Sequence, residues 1–261
     1  MPWDPDRYNQ FKQERSDPFE DLFALIRVRP GLHVLDLGCG TGRLTRSLAE
    51  RLPQSDVLGI DSSAEMLARS ESLAAREGRF NLRFELAEIQ EMRGRWDLVV
   101  SNSALQWLDN HANLMPRLFT LLEPGGQLAV QIPSNHDHPT HRLLAETASR
   151  EPYKTALGGW KRRSPVLSIE RYAELLYKAG GKGLEVYERV YPLEMEDANG
   201  LVDWVSGTAL IPYLERLPEE LRPAFTESYR RRLWEHWPLG PIFYGFRRIL
   251  FSALRPAKAV D

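Results

Sequence analysis

Between His33 and Pro133 short apolar runs alternate with stretches whose apolar positions recur every three or four residues. Runs near 33–37, 57–60, 81–86, 96–101 and 126–132 read as strands. The stretches between them read as helices, one starting near Ala64. Alternation at this spacing implies a parallel sheet with right-handed crossovers. A further helix is predicted ahead of it, from about Pro18 to Arg27. After Pro133 the rhythm breaks. Residues 134–165 are polar, with His136, His138, His141 and the basic run Lys161-Arg162-Arg163. Helix returns at about Ile169–Ala179 and stops at Gly180-Gly181. A strand is predicted from Leu184 to Tyr191, helices from about Asp197 to Trp237, and a last strand from Phe243 to Leu254. A strand, a helical insertion and a returning strand suggest an antiparallel edge pair interrupted by a cap. The expected organisation is an N-terminal lid (1–30), a ligand-binding core (31–133), a cap insertion (134–165), more core (166–192), a helical cap (193–240), the last core strand (241–255) and a tail (256–261).

Candidate chemistry sits where the strands end. The run from His33 to Gly42 is an apolar strand, then Asp36, then glycines at 38, 40 and 42, then a helical pattern. Glycine takes positive φ without penalty and lets a backbone touch a ligand, and the following helix offers free N–H groups. The spacing is Gly-x-Gly-x-Gly, not the Gly-x-Gly-x-x-Gly of dinucleotide folds, and no Gly-Lys-Ser/Thr follows. About 20 residues on, the second strand ends in Asp61, where a carboxylate holds a ribose diol. Glu88 ends the third strand, placed to accept from an adenine amine while Ile89 packs on the ring. The fourth strand ends in Ser101-Asn102, and Gly125-Gly126 turns into the fifth. Each has a plainer reading. Asp61, Ser62 and Ser63 compete to cap the next helix, Glu88 is solvated, and the glycine pair is only a turn. Their order along successive strand ends favours adenosine recognition.

Composition narrows the class. A net charge of −2 over 261 residues is no footprint for nucleic acid. The single cysteine, Cys39, excludes an internal disulfide and fits a reducing cytoplasm. No stretch is long and apolar enough to span a bilayer. Residues 1–5 do not read as a signal peptide.

The series Val34–Thr45, Ile60–Met66, Ala87–Ile89, Asp97–Trp107 and Leu121–Pro133 resembles class I S-adenosylmethionine-dependent methyltransferases. Residues Tyr8–Arg15, Ser103–Leu108, Pro139-Thr140-His141 and Asp203-Trp204-Val205 look like the trans-aconitate 2-methyltransferase family, a likeness reaching about Arg255. The resemblance implies an α/β fold: a doubly wound, mostly parallel seven-stranded sheet with an antiparallel edge strand and a helical cap. It implies methyl transfer from S-adenosylmethionine to a carboxylate, giving a monomethyl ester of a tricarboxylate.

Expected cofactor contacts are Arg15, Asp36, Gly38, Gly40, Gly42, Asp61, Ser62, Met66, Ala87, Glu88, Ile89, Asn102, Ser103 and Trp107. Expected acceptor contacts are Tyr8, Trp107, His141, Trp160 and Arg247; Trp204 is read as core. Adjacent Arg247 and Arg248 point to opposite faces of a strand, so one of the two faces a pocket. A carboxylate is ionised at neutral pH and needs no general base, so no catalytic residue is required; His141 is the one candidate. The three histidines lack a supporting acid or cysteine cluster, so no metal is expected. Two places depart from the family. Leu210-Ile211-Pro212-Tyr213 lacks an arginine before the proline and a tryptophan after it, leaving the basic 160–163 segment to compensate, and Glu88 stands where Asp is commoner. The expected partner is a small acid, with no nucleic acid or membrane, and the enzyme is a monomer or dimer. The alternatives are methylation of a phenol, hydroxyl or amine with a histidine base, or a cofactor-binding protein without turnover.

Overall fold

The computed structural model describes residues 17–77 and 81–257. Tyr8 and Arg15 lie outside the described residues, as does the proposed lid over the cofactor that they carry. The chain divides into two compact units. The larger comprises Asp17–Pro133, Pro165–Arg189 and the chain from Arg248 onward. The smaller includes Ser134–Ser164 and Val190–Arg247.

The larger unit is an α/β sandwich. Its elements are α1 (Asp17–Ala24), β1 (His33–Leu37), α2 (Arg43–Arg51), β2 (Asp56–Asp61), α3 (Ala64–Glu77), β3 (Leu82–Leu86), β4 (Trp96–Asn102), α4 (His111–Thr120) and β5 (Leu122–Pro133). After the first excursion into the smaller unit, α7 (Ile169–Lys178) follows. The strands β6 (Lys182–Met195) and β7 (Ile242–Leu254) each contribute residues to both units. The sheet runs in the order β3-β2-β1-β4-β5-β7-β6. The first five strands pair in parallel. β7 pairs antiparallel with β5, from Gln127↔Leu254 to Pro133↔Arg248, and sits one place in from β6.

Strand periodicity explains the two-sided core. Alternate side chains face opposite ways, so Leu35, Leu37, Val99, Leu128 and Val130 join one cluster with Leu114, Leu118 and Tyr172. Val34, Leu98, Val100 and Ala129 join the other, with Phe19, Leu22, Leu48 and Leu52. Strands buried on both faces read as continuous apolar runs, which is why they were legible. α1 ends earlier than the predicted Arg27 because its exit is tied to β5. The Arg27 N–H donates to Gln127 Oε1 at 2.9 Å, and Gln127 Nε2 donates to the Leu25 carbonyl.

The smaller unit packs α5 (Pro139–Ala148), α6 (Tyr153–Ala156), α8 (Ala198–Ser206), α9 (Ile211–Arg216) and α10 (Arg222–His236) around an aromatic core. Trp204, Tyr213, Phe225, Tyr229, Tyr244 and Phe246 are all buried there. Helix α5 lies in the stretch that read only as polar. His138 Nδ1 caps it by accepting from Thr140 N–H, Pro139 occupies its first turn, and Leu144 and Ala148 supply a narrow buried stripe. The predicted helical block from 197 to 237 splits into three helices, interrupted around Gly207 and at Leu217-Pro218.

Candidate cofactor and acceptor residues

The turn after β1 uses its three glycines in two ways. Gly38, Gly40 and Gly42 all have positive φ, of 77°, 56° and 70°. A Cβ on Gly38 would meet Ala104 Cβ at 2.2 Å, and one on Gly42 would meet the Phe84 ring at 2.5 Å. Those two are glycine because the protein packs against them. A Cβ on Gly40 would meet nothing within 4 Å. Its bareness leaves a backbone face open to a ligand, next to a helix N-terminus without a side-chain cap at Gly42. This fits a cofactor that lies over the turn.

The neighbouring acids hold the turn in place. Asp36 is buried and accepts from Thr45 Oγ1 at 2.7 Å, tying the strand to α2. Burial, with the charge of Asp61 adding to it, pushes the Asp36 carboxyl up to about 6. Burial foremost, then the charges of Asp36 and Asp61, drives the Cys39 thiol far above its ordinary range, so it stays protonated. Asp61 is half-buried. Its Oδ2 accepts from the Gly40 N–H at 2.8 Å and its Oδ1 from the Ser63 N–H at 2.9 Å. Each carboxylate oxygen keeps a further lone pair for a hydroxyl. Ser63, not the exposed Ser62, supplies the hydroxyl that accepts from the Met66 N–H, and Met66 is half-buried. The Asp61 carbonyl accepts from the Ala87 N–H at 3.1 Å. Ile89 is buried, Ala87 packs against the same core, and Glu88 is exposed.

A second polar group forms at the ends of β4 and β5. Asn102 Oδ1 is buried with no hydrogen-bond partner among the described residues, which leaves an acceptor for a ligand N–H. Ser103 has φ of 56°. Its Oγ donates to Gln131 Oε1 at 2.8 Å and accepts from Arg248 Nη1 at 3.1 Å. Gln106 Nε2 donates to the Ser103 carbonyl. Trp107 follows on the short turn Leu105–Trp107 and is 50% exposed. Sequence reasoning passed over Gln131, and considered Arg248 as an anchor for an anionic acceptor rather than as a partner of Ser103. A polar residue inside the apolar run Leu128–Pro133 was the available signal for Gln131.

The smaller unit gathers cations. Arg247 is half-buried; its N–H donates to Asn135 Oδ1 at 2.7 Å. Burial first, then the positive charges of Arg247, Arg142 and His236, takes His138 down to about 4. Burial, then Arg162, His138 and His136, takes His141 down to about 3. Of these contributors, Arg142, Arg162 and Arg247 carry their charge at neutral pH. Thr140 Oγ1 lies 2.9 Å from His138 Nδ1 and 3.2 Å from His141 Nδ1. Trp160 packs edge-on to Tyr213 at 5.2 Å, with the Arg216 guanidinium 4.1 Å over its ring. Trp204 is core.

These shifts fix a sign for acid stability. Above about pH 6.5 both rings are neutral in the folded and unfolded chain. Below it the unfolded chain takes up protons that the folded chain refuses, so stability falls as pH drops towards 4. Asp36 acts oppositely, since its raised pKa favours the folded state as pH falls from 6. Thermal melts of His141→Gln should therefore fall less steeply between pH 6.5 and 4 than those of the parent chain. Equal slopes would mean that His141 takes up its proton as readily folded as unfolded.

Comparisons with known proteins bear on the family and the fold. Residues 29–180 match a family model described as a methyltransferase domain. The trans-aconitate 2-methyltransferase of Deinococcus radiodurans is 49% identical over 98% of this chain and 99% of its own. That of Variovorax paradoxus is 37% identical over 98% of this chain and 100% of its own. Among solved structures, YcgJ of Bacillus subtilis superposes with a TM-score of 0.60 at 13% identity, covering 92% of this chain and 98% of that one. Phosphoethanolamine N-methyltransferase 2 of Haemonchus contortus, solved with S-adenosyl-L-methionine, gives 0.57 at 17% identity, covering 92% and 52%. At those identities the structures speak for the fold alone. With near-complete coverage by its curated relatives, the chain belongs to the trans-aconitate 2-methyltransferase family of S-adenosylmethionine-dependent methyltransferases.

Proposed function

We propose that this chain methylates one carboxylate of trans-aconitate to a methyl ester, with Arg162, Arg247, His141 and Trp160 recognising the acid. The observation that carries the substrate class is the set of arginines acting on the two buried histidines, Arg142 and Arg247 on His138 and Arg162 on His141, a setting that suits a small polyanion. When bound, S-adenosylmethionine supplies a methyl group on a positive sulfonium. On this reading the open face of Gly40 receives the donor, Asp61 takes the ribose hydroxyls, and Glu88 with Ile89 takes the adenine. Asn102 and Ser103 border the same site, and Trp107 walls it against water. Asp36, Gly38, Gly42, Ser62, Met66 and Ala87 shape its floor and rim.

No residue is asked to remove a proton. An ionised carboxylate is already a nucleophile, and catalysis then consists of alignment and exclusion of water. Histidines depressed to about 3 and 4 are poor bases near neutrality, which disfavours a phenol or amine acceptor. The family supports an enzyme acting on a small molecule, the single cysteine suits a reducing cytoplasm, and the net charge of −2 suits no nucleic-acid partner; a monomer or dimer completes the proposal.

The test is turnover with methyl-labelled donor against trans-aconitate, related di- and tricarboxylates, and an aromatic alcohol. Esterified trans-aconitate is expected, with kcat flat from pH 6 to 9. Product from the alcohol alone, or a single rising limb near pH 7, would overturn the assignment.

A further inference from the structure

The geometry points to His111 as a positioning residue that fixes the Leu105–Trp107 turn through a directional relay with Tyr172. The inference rests on reading that turn as part of the cofactor site. His111 opens α4 and is 1% exposed. Its Nε2 lies 2.9 Å from the Leu105 carbonyl, and its Nδ1 lies 2.5 Å from Tyr172 Oη. A carbonyl only accepts, so the proton sits on Nε2 and the tautomer follows from the bond. Nδ1 must then accept from the tyrosine hydroxyl. Tyr172 Oη in turn accepts from the Leu167 N–H at 3.2 Å. Every group in the chain of bonds has a fixed direction: Leu167 N–H to Tyr172 O–H to His111 N–H to Leu105 C=O. The relay works only with a neutral ring, and burial holds His111 below its ordinary pKa.

Its end point is what gives it a function. The Leu105 carbonyl also accepts from the Leu108 N–H at 2.9 Å, closing the short turn whose last residue is Trp107. That carbonyl is therefore held by both Leu108 and His111, and Trp107 lies between Leu105 and Leu108 in sequence. The turn is otherwise short and ends in a half-exposed indole, so its orientation depends on such anchors. The relay's starting point, Leu167, lies just after the chain re-enters the larger unit at Pro165. The groups sit in an apolar cluster with Leu105, Leu114 and Phe251, and the Tyr172 ring stacks on Phe251 at 4.9 Å. A buried polar chain in that setting does not add cheap stability. It specifies one arrangement among several that apolar packing alone would permit.

Tyr172→Phe, His111→Leu, His111→Gln and Trp107→Phe separate the possibilities. Calorimetry measures S-adenosylhomocysteine affinity, and turnover at saturating donor measures kcat. His111→Leu is expected to weaken S-adenosylhomocysteine about tenfold, the scale of one lost buried hydrogen bond, and to raise donor KM more than it lowers kcat. His111→Gln, which retains a donor at the Nε2 position, should recover most of that loss. Tyr172→Phe keeps the stacked ring and should weaken binding about threefold. Unchanged affinity in Tyr172→Phe and in a folded His111→Leu, with only a lower melting temperature, would overturn the inference, because the relay would then serve stability alone. Should His111→Leu not fold, Tyr172→Phe decides by itself. Unchanged affinity in Trp107→Phe would instead remove the turn from the cofactor site, a different failure from that of the relay.

Discussion

Gly40→Ala should give a protein that has lost its cofactor with little loss of stability, while Gly42→Ala and Gly38→Ala should lose stability. A methyl on Gly40 points into open space. Its only internal cost is an alanine at φ of 56°, about 1–2 kcal/mol. The same methyl occupies the face offered to a ligand, so S-adenosylhomocysteine affinity should fall at least about 100-fold, or about 2.7 kcal/mol. At the flanking glycines the methyl would lie within 2.5 Å of Phe84 or Ala104 carbon atoms. Backbone must shift to relieve such contacts, at about 3 kcal/mol or more with the φ strain included. A melting temperature lowered by roughly 6 °C or more follows for a domain of this size. Thermal melts with and without S-adenosylhomocysteine read both effects at once. Gly40→Ala should melt only about 2–4 °C below the parent and gain little from the ligand, whereas the parent is raised by it. A normal ligand-induced rise in Gly40→Ala would remove the turn as the cofactor contact.

That contrast also shows what the sequence could and could not convey. The spacing of the glycines disclosed a ligand turn, but not that two of the three serve packing. Only the positions of Ala104, Phe84 and Ser70 distinguish them, and these come from other strands and helices. Asp61 was legible as an acid at a strand tip. Its bond to the Ser63 N–H is a local turn, but its bond to the Gly40 N–H depends on how β1 and β2 stand side by side, which no local pattern encodes. The parallel strands were legible because burial on both faces makes them uniformly apolar. Helix α5 was not, because three of the four residues of its buried stripe are threonine or alanine. Arg248 was legible as a candidate anchor for an anion, but not as a partner of Ser103. Its bond to Ser103 follows from the antiparallel pairing of β7 with β5, a long-range register. The neutral state of His138 and His141 follows first from burial and then from charges that include Arg247 and Arg162, which are distant in sequence.

Those cations give the second large effect. Arg162→Met and Arg247→Met are each expected to raise the trans-aconitate KM about 30-fold or more, at the lower end of the 2–5 kcal/mol for breaking a charged pair. S-adenosylhomocysteine affinity should stay within about twofold of the parent, since neither variant alters the glycine turn. A rise in KM alone could arise from loss of the arginine's packing, and the histidines supply an independent readout. Arg162 is the largest charged influence on His141, and Arg247 on His138. Removing a nearby positive charge favours the protonated ring, so each variant should raise the pKa of its own histidine towards the ordinary value. Burial remains in both variants, so the return is partial. NMR titration of the ring protons would show this directly. If KM rises and the paired histidine shifts upward, the arginine acts as a charge within the cluster that holds the acid. If KM rises while the histidine does not move, its role is packing, and the charge that recognises a polycarboxylate lies elsewhere. If KM is unchanged in both variants, the cation cluster does not bind the acceptor, and the substrate reading loses the observation on which it stands.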